Sequence, residues 1–341
     1  MMAGGFQFGL VVRGQYPPGD DMAQRFAETV AMARRAEALG YDSLTKTSHY
    51  SAYPFQMLQQ VPLLARFTAE VPRMRLNAGI VLLALETPLS VAEEFATLDV
   101  MSGGKIIFGA ALGYRELEFK AFGVRKADRV RRFEDNLVAI KRLWTEDQVS
   151  MVGGHFELAE ASCLPKPLQK PHPPVWIGAN ADRAIERAAR LGDCWYINPH
   201  VQIATVERQM EVYRRALDTA GKPFPEELPM RREVFVAETR DEAIRLCEPY
   251  LKAKYQAYHD WGQEMPADDN ALDQAFASLV GDRFLIGSSD EVTEQILAIH
   301  RRTGVNHLVM STEWAGMPPS LAAETMQRIA EQVMPRVRQG L

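Results

Sequence analysis

His49 stands just past a short predicted strand, Tyr41 to Thr47, in the sequence Thr47-Ser48-His49-Tyr50. A histidine at a strand's end can serve as general acid or base, or hydrogen-bond a reactive oxygen species, because its ordinary pKa of about 6.5 permits either near neutrality. The plainer alternative is a loop histidine that only packs. Lys46, in the same run, would form a Schiff base only if desolvated, and such a lysine is more often paired. Farther on, Gly109 and Gly113 lead into Tyr114, Arg115, Glu116 and Glu118. Small residues beside a polar cluster suit a place where backbone approaches a ligand and side chains surround it. Glu116 and Glu118 resemble a glycosidase pair in type, yet two positions apart they more simply stay solvated or pair with Arg115.

Two glycine turns complete the inventory. Gly178-Ala179-Asn180-Ala181 lies between a strand and a helix starting near Asp182, where small residues admit close approach and free N–H groups attract an anion. Arg183 on the first helical turn adds a cation; the alternative is a tight turn capped by Asn180 or Asp182. Gly287-Ser288-Ser289-Asp290 has the same outline and reads as a simple cap. Neither turn matches a dinucleotide or P-loop pattern. The seven histidines are scattered, without HxH, HExxH or a close cysteine pair, so no metal is expected, and a serine-hydrolase elbow is missing.

These residues need a scaffold that brings strand ends together, and the order of elements supplies one. The stretch from Met74 to Trp144 reads strand, helix, strand, loop, helix: Leu76 to Leu82 is a mainly apolar run, Pro88 suits a first helical turn, and Ser102-Gly103-Gly104 ends that helix before Ile106. Parallel strands joined this way require a right-handed crossover. Before it come the strand Phe6 to Val12, a helix from about Met22 to Leu39, and a helical segment Gln56 to Glu70. After it, Val130, Phe133, Leu137, Ile140 and Trp144 form the best helical stripe in the chain. Val149 to Leu158 looks like a hairpin turning at Gly153-Gly154, and the five prolines between Leu164 and Pro174 mark an extended loop.

Strand and helix then alternate through Val175 to Ile177, Ala181 to Leu191, Cys194 to Ile197, Ile203 to Thr219, Arg232 to Ala237, Asp241 to about His259, Phe284 to Ile286, Asn306 to Met310 and Leu321 to Val337. Trp261 to Gly281 is polar and irregular, suited to a lid. About eight strands, nearly all followed by helices, predict a (β/α)8 barrel with loop and hairpin insertions in a single domain over 1–341; an open doubly wound sheet is the weaker option. A net charge of −5 with interspersed signs gives no basic stripe for nucleic acid and no polybasic membrane patch. With no long apolar span and no signal-peptide layout, the expected location is the cytoplasm, where Cys163, Cys194 and Cys247 suit reduced thiols.

With these residues laid out, the chain resembles the luciferase-like superfamily of flavin-dependent monooxygenases, which also contains deazaflavin-dependent dehydrogenases. The resemblance runs through AGIVLL and TPLSVAEEFATLDVMSGGKIIFGAALGYRELEFKAFGV, then RRFEDNLVAIKRLWTEDQVSMVGGHFEL, then PKPLQKPHPPVWIGANADRAIERAARLGD, and finally FLIGSSDEV and GVNHLVM. It implies a flavin across the C-terminal mouth of the barrel. His49 then falls beside the reacting edge of the ring. Gly79 and Ile80 fall at a bulged strand end that supports the ring, often through a strained or cis peptide. Gly178, Ala179, Asn180 and Ala181 fall on the phosphate turn with Arg183 as ion-pair partner, and Tyr114 and Arg115 on the loop bordering substrate and flavin. Two departures stand out: Ser48 replaces the usual acidic residue before the histidine, and the phosphate turn lacks the common Gly-Gly-Ser form.

The implied activity is a two-component FMN-dependent monooxygenase that takes reduced FMN from a separate flavin reductase and uses oxygen on a small, fairly apolar organic substrate. Alternatives are a deazaflavin-dependent dehydrogenase, a flavin-binding protein without turnover, and a non-redox barrel enzyme built on Lys46 or the rim carboxylates. Resemblance also implies a homodimer, with the second and third helices as the place to look. Tyr16, Tyr50, Tyr53, Phe55, Trp195, His200 and Trp314 are the candidates to frame the mouth.

Overall fold

The computed structural model describes residues 5–12, 14–262 and 283–341. Its first half is built from β1 (Gln7–Val11), α1 (Met22–Ala38), β2 (Ser43–Lys46), α2 (Gln60–Glu70), β3 (Arg75–Leu82), α3 (Pro88–Met101), β4 (Ile106–Ala111), α4 (Glu116–Ala121) and α5 (Arg129–Thr145). The antiparallel hairpin β5 (Val149–Val152) and β6 (Glu157–Ala161) interrupts the rhythm, as expected. Then follow β7 (Val175–Ala179), α6 (Asp182–Leu191), β8 (Cys194–Ile197), α7 (Ile203–Thr219), β9 (Pro229–Val236), α8 (Arg240–Asp260), β10 (Phe284–Gly287), α9 (Ser289–Thr303) and β11 (His307–Ser311). A last helical stretch, 319–339, contains a π segment at Ile329–Val333.

Nine parallel strands form, and eight of them close a ring in the order β1, β2, β3, β4, β7, β8, β9, β11 and back to β1. This is the expected (β/α)8 barrel. The seam between β8 and β9 rests on one register pair, Ile197 with Met230. From Glu233 onward the same edge of β9 pairs with β10 instead, because β11 occupies the opposite edge at that residue. So the Phe284 strand sits beside the ring and β8 diverges from β9 toward the mouth. Arg232, fully buried, ties that gap by donating to the carbonyls of Asn198 (2.7 Å) and Val201 (2.9 Å).

Alternation along each strand sorts side chains into two layers. Phe8, Leu10, Leu44, Leu76, Phe108 and Ile177 point outward into the large core shared with the helices, where the stripe Phe133, Leu137, Ile140 and Trp144 of α5 packs. Val11, Ile107, Trp176, Cys194, Tyr196 and Val309 form a smaller cluster inside the ring. At the N-terminal floor, Glu227 accepts from Arg75 Nη1 (2.5 Å) and bonds His307 Nδ1 (2.8 Å), while His307 Nε2 meets Ser43 Oγ (2.9 Å). Gly9 makes room for that pair: a Cβ there would collide with Ser43 Oγ and come within 3.0 Å of His307 Nε2.

Two expectations change. The run after β4 is the short helix α4 rather than a loop, and Glu118 is thereby turned inward. Of the Trp261 to Gly281 segment, Trp261 and Gly262 are described and the rest of that expected lid lies outside the described residues.

Candidate active site

The C-terminal ends of β2, β3, β4, β7 and β8, with Arg231 near the start of β9, surround a cavity of about 340 Å³. His49, Gly79, Ile80, Tyr114, Gly178, Ala179, Asn180 and Ala181 all line it, so residues 132 positions apart in sequence share one wall system. The strand ends put them there. Between β3 and β4 the register shifts from Ala78 to Val81, and the Gly79–Ile80 peptide at this bulge is cis. Gly109 lets β4 come against that bulge, since a Cβ would collide with the Ala78 carbonyl oxygen.

His49 is tethered. Its Nδ1 lies 3.0 Å from Glu118 Oε1, which also accepts from Tyr50 N (2.9 Å) and Arg115 Nη1 (3.3 Å). Oε1 already accepts from a backbone N–H and a guanidinium, so the tautomer that completes the third bond is Nδ1–H. Nε2 then has no partner among the described residues and belongs to a ring that lines the cavity. Edge-on aromatic contacts from Tyr114 (5.7 Å between centroids), Tyr258 (6.3 Å) and Trp261 (5.3 Å) close around the imidazole.

Arg115 does not reach the cavity. Its guanidinium, 4% exposed, lies 4.1 Å from the Trp261 ring centroid and donates to the carbonyls of Tyr50 (2.8 Å) and Ser51 (3.2 Å), so it props the loop that carries His49. Tyr114 does line the cavity, its buried hydroxyl has no partner among the described residues, and burial pushes that hydroxyl well above its ordinary range, keeping it protonated.

The turn before α6 is open. Its N-cap is Ala181, and no side chain caps the helix. Asn180, one of the two expected caps, instead accepts at its side-chain oxygen from Asn198 Nδ2, and its carbonyl accepts from Gln209 Nε2 (2.6 Å). Asp182, at the first helical position, is neutralised by Arg208 through two bonds (2.8 and 3.1 Å). The N–H groups at this terminus therefore face the cavity mouth without a competing carboxylate. Arg183 is exposed and does not line the cavity; Arg129, the first residue of α5, does.

Several expected mouth residues sit elsewhere. Trp195 is buried in the outer layer, donating Nε1 to the Ala179 carbonyl (2.9 Å), and Trp314 gives Nε1 to Glu233 (2.6 Å). Tyr16 is buried against Thr29, Tyr50 bonds Glu86 (3.0 Å), Tyr53 is 83% exposed, and Phe55 meets Trp261 edge-on; of the seven, only His200 lines the cavity. Lys46 is fully buried, its amine without a partner among the described residues, and it lies outside the cavity lining; burial lowers the amine to about 8. Glu116 is exposed. Missed were Glu118 as a partner of His49, together with Arg129, Tyr196, Arg231 and Tyr258. Strand alternation would have separated inward Tyr196 from outward Trp195; the helix-borne residues leave no such signal.

Among the described residues, no cluster suits a metal ion and no helix is long and apolar enough to cross a membrane. A sequence model of luciferase-like monooxygenases matches residues 6–307. The FMNH2-dependent dimethylsulfone monooxygenase of Pseudomonas putida is 28% identical over 230 residues, 62% of this chain and 62% of its own length. The F420-dependent glucose-6-phosphate dehydrogenase of Amycolatopsis mediterranei (strain U-32) is 26% identical over 337 residues, 91% of this chain and 94% of its own. Among solved structures, a monooxygenase from Streptomyces bottropensis superposes with a TM-score of 0.87 at 27% identity, covering 96% of this chain and 99% of that one. Barrel, cavity and sequence agree: the chain belongs to the luciferase-like monooxygenase family, whose matched members include enzymes named for FMNH2 and for F420.

Proposed function

We propose that this chain is a cytoplasmic oxygenase component of a two-component FMN-dependent monooxygenase, working with a separate flavin reductase on a small organic substrate and oxygen. One observation carries the reading: a tethered histidine and an uncapped helix N-terminus line the same cavity. Those groups fit a planar ligand with a phosphate tail. The Gly178-Ala179-Asn180-Ala181 turn, the first amides of α6 and Arg129 would hold the phosphate, and the Gly79–Ile80 ledge would support the ring. Bound reduced FMN supplies the electrons that activate oxygen.

The protein's own part is proton handling and exclusion of water. Glu118 fixes the Nδ1–H tautomer, so Nε2 is the atom at which His49 takes up or returns a proton. Arg115 holds the Tyr50 and Ser51 carbonyls and thereby steadies the loop that carries the ring. Tyr114, Tyr258 and Trp261 shield that nitrogen from bulk solvent. A homodimer through the second and third helices is part of the reading, supported by Val100 and Met101 standing 40% and 50% exposed at the end of α3.

A deazaflavin-dependent dehydrogenase is the second reading, favoured by the longer match to the F420-dependent relative, 91% of this chain against 62%. Anaerobic titration with FMN, reduced FMN and F420 separates them. Reduced FMN binding at least tenfold tighter than F420 supports the monooxygenase; the reverse order supports the dehydrogenase. In the first case His49→Ala keeps FMN affinity within about threefold while the hydrogen peroxide released per oxygen consumed rises several-fold; unchanged release removes His49 from the reaction. Oxygen consumption no faster than that of free reduced flavin would leave a flavin-binding protein without turnover.

A further inference from the structure

The wall of the cavity formed by β8 and β9 carries a cation whose hydrogen-bonding capacity the described residues do not fill. Alternation along β9 turns Arg231 and Glu233 away from the side of Arg232. Arg231 Nε donates to Ser311 Oγ (3.0 Å), and the guanidinium's two terminal nitrogens, on a side chain lining the cavity, have no hydrogen-bond partner among the described residues. Glu233 stands near, and its charge is felt at Arg231, yet it is already bonded by Lys254 Nζ and by Trp314 Nε1 (2.6 Å).

His200 reports the local field. Its Nδ1 is bonded to the Tyr255 hydroxyl (2.9 Å), and burial first, then Lys254, Arg231, Arg232 and Arg283, hold the ring well below its ordinary pKa. Every charge that weighs most on this histidine is positive. Directly on the cavity, Tyr196 is 5% exposed and its hydroxyl has no bond of proper geometry, although the Thr45 hydroxyl is close. A buried donor without an acceptor, and a half-buried guanidinium with two terminal nitrogens unbonded among the described residues, both gain hydrogen bonds from an incoming anion.

We propose that this wall docks an anionic group of the organic substrate, a carboxylate or a sulfonate, with the Arg231 fork as its bidentate partner and the Tyr196 hydroxyl as a further donor. An arginine fork matches either group's planar or trigonal face of oxygens. This rests on the flavin reading for what fills the rest of the cavity, and it replaces a merely apolar substrate with one that is apolar at one end and charged at the other.

The test uses FMN-saturated protein titrated with benzoate, benzenesulfonate and the neutral match benzyl alcohol, followed by flavin absorbance. The same titrations by calorimetry on protein without FMN keep the anion question readable should flavin not bind. At least one of the two anions is expected to bind tenfold or more tighter than the alcohol. Arg231→Gln reduces that preference below threefold, Arg231→Lys retains part of it, and Tyr196→Phe weakens the anion about threefold without affecting the alcohol. Equal affinities in the unmodified protein, or a preference that survives Arg231→Gln, overturns the proposal. So does an Arg231→Gln protein that loses reduced FMN tenfold more than oxidised FMN, which would assign the guanidinium to the flavin ring. If Arg231→Gln does not fold, the Arg231→Lys and Tyr196→Phe proteins decide.

Discussion

At the floor of the barrel Arg75, Glu227 and His307 meet; at the mouth Arg115, Glu118 and His49 do. Both histidines give Nδ1 to a glutamate, and both glutamates take an arginine. The floor finishes the network: His307 is fully buried and its Nε2 bonds Ser43 Oγ at 2.9 Å. The mouth leaves it open, with His49 Nε2 at the cavity. A His–Glu pair is thus not by itself a site; what distinguishes the mouth is a histidine nitrogen left without a partner among the described residues. The two glycine turns repeat the lesson. The turn before α9 is closed by a full capping box between Ser288 and Glu291, whereas the turn before α6 has no side-chain cap and faces the cavity.

The largest contrast is expected from removing each histidine. His307→Ala opens a hole under Trp176, whose ring packs edge-on at 5.1 Å, and unpairs a buried network, at a cost of roughly 4 kcal/mol in denaturant unfolding. His49→Ala changes stability by less than about 1 kcal/mol. Similar losses for the two would erase the distinction between a structural end and a working end.

Next comes acid. Burial alone would raise the Glu227 carboxyl, but the bonds and charges of His307 and Arg75 outweigh it and hold it down to about 2, against about 4.3 in an unfolded chain. A carboxyl lowered by folding contributes stability above its unfolded pKa and loses it as pH falls through the folded value. Unfolding followed from pH 5 to pH 2 should therefore lose roughly 3 kcal/mol from this group. Glu227→Gln starts less stable and shows a shallower decline; an unchanged slope would mean that the floor pair is not ionic.

Smaller effects separate the two turns. Ala181→Asp puts a carboxylate on the open helix end, where it caps the free amides and repels a phosphate. FMN affinity should fall about 100-fold, close to 2.7 kcal/mol, with thermal stability unchanged or raised. Ser288→Ala should cost about 1 kcal/mol of stability and leave FMN affinity alone. If both variants affect flavin equally, the turns do not differ as described.

The barrel was legible because strand and helix alternate along nearly the whole chain, so local pattern and global closure agree. The Gly178 turn and the Gly79–Ile80 bulge were legible through the motifs around them. Glu118 was not, because its bond to His49 spans 69 positions and depends on α4 turning the carboxylate inward. Nor was the exchange of Arg183 for Arg129: which arginine faces the cavity is a matter of helix rotation, and a one-position difference in phase moves a side chain by about 100°. Trp195 and Trp314 looked like mouth residues by size, but strand phase and the Glu233 bond place them behind it.

The most direct measurement is a crystal structure of the protein with FMN bound. The account predicts phosphate oxygens within hydrogen-bonding distance of the amides that open α6 and of Arg129, with the ring lying on Gly79–Ile80 and its edge toward His49 Nε2. Phosphate density away from the Ala181 turn, or a ring whose edge lies across the barrel from His49, would contradict it.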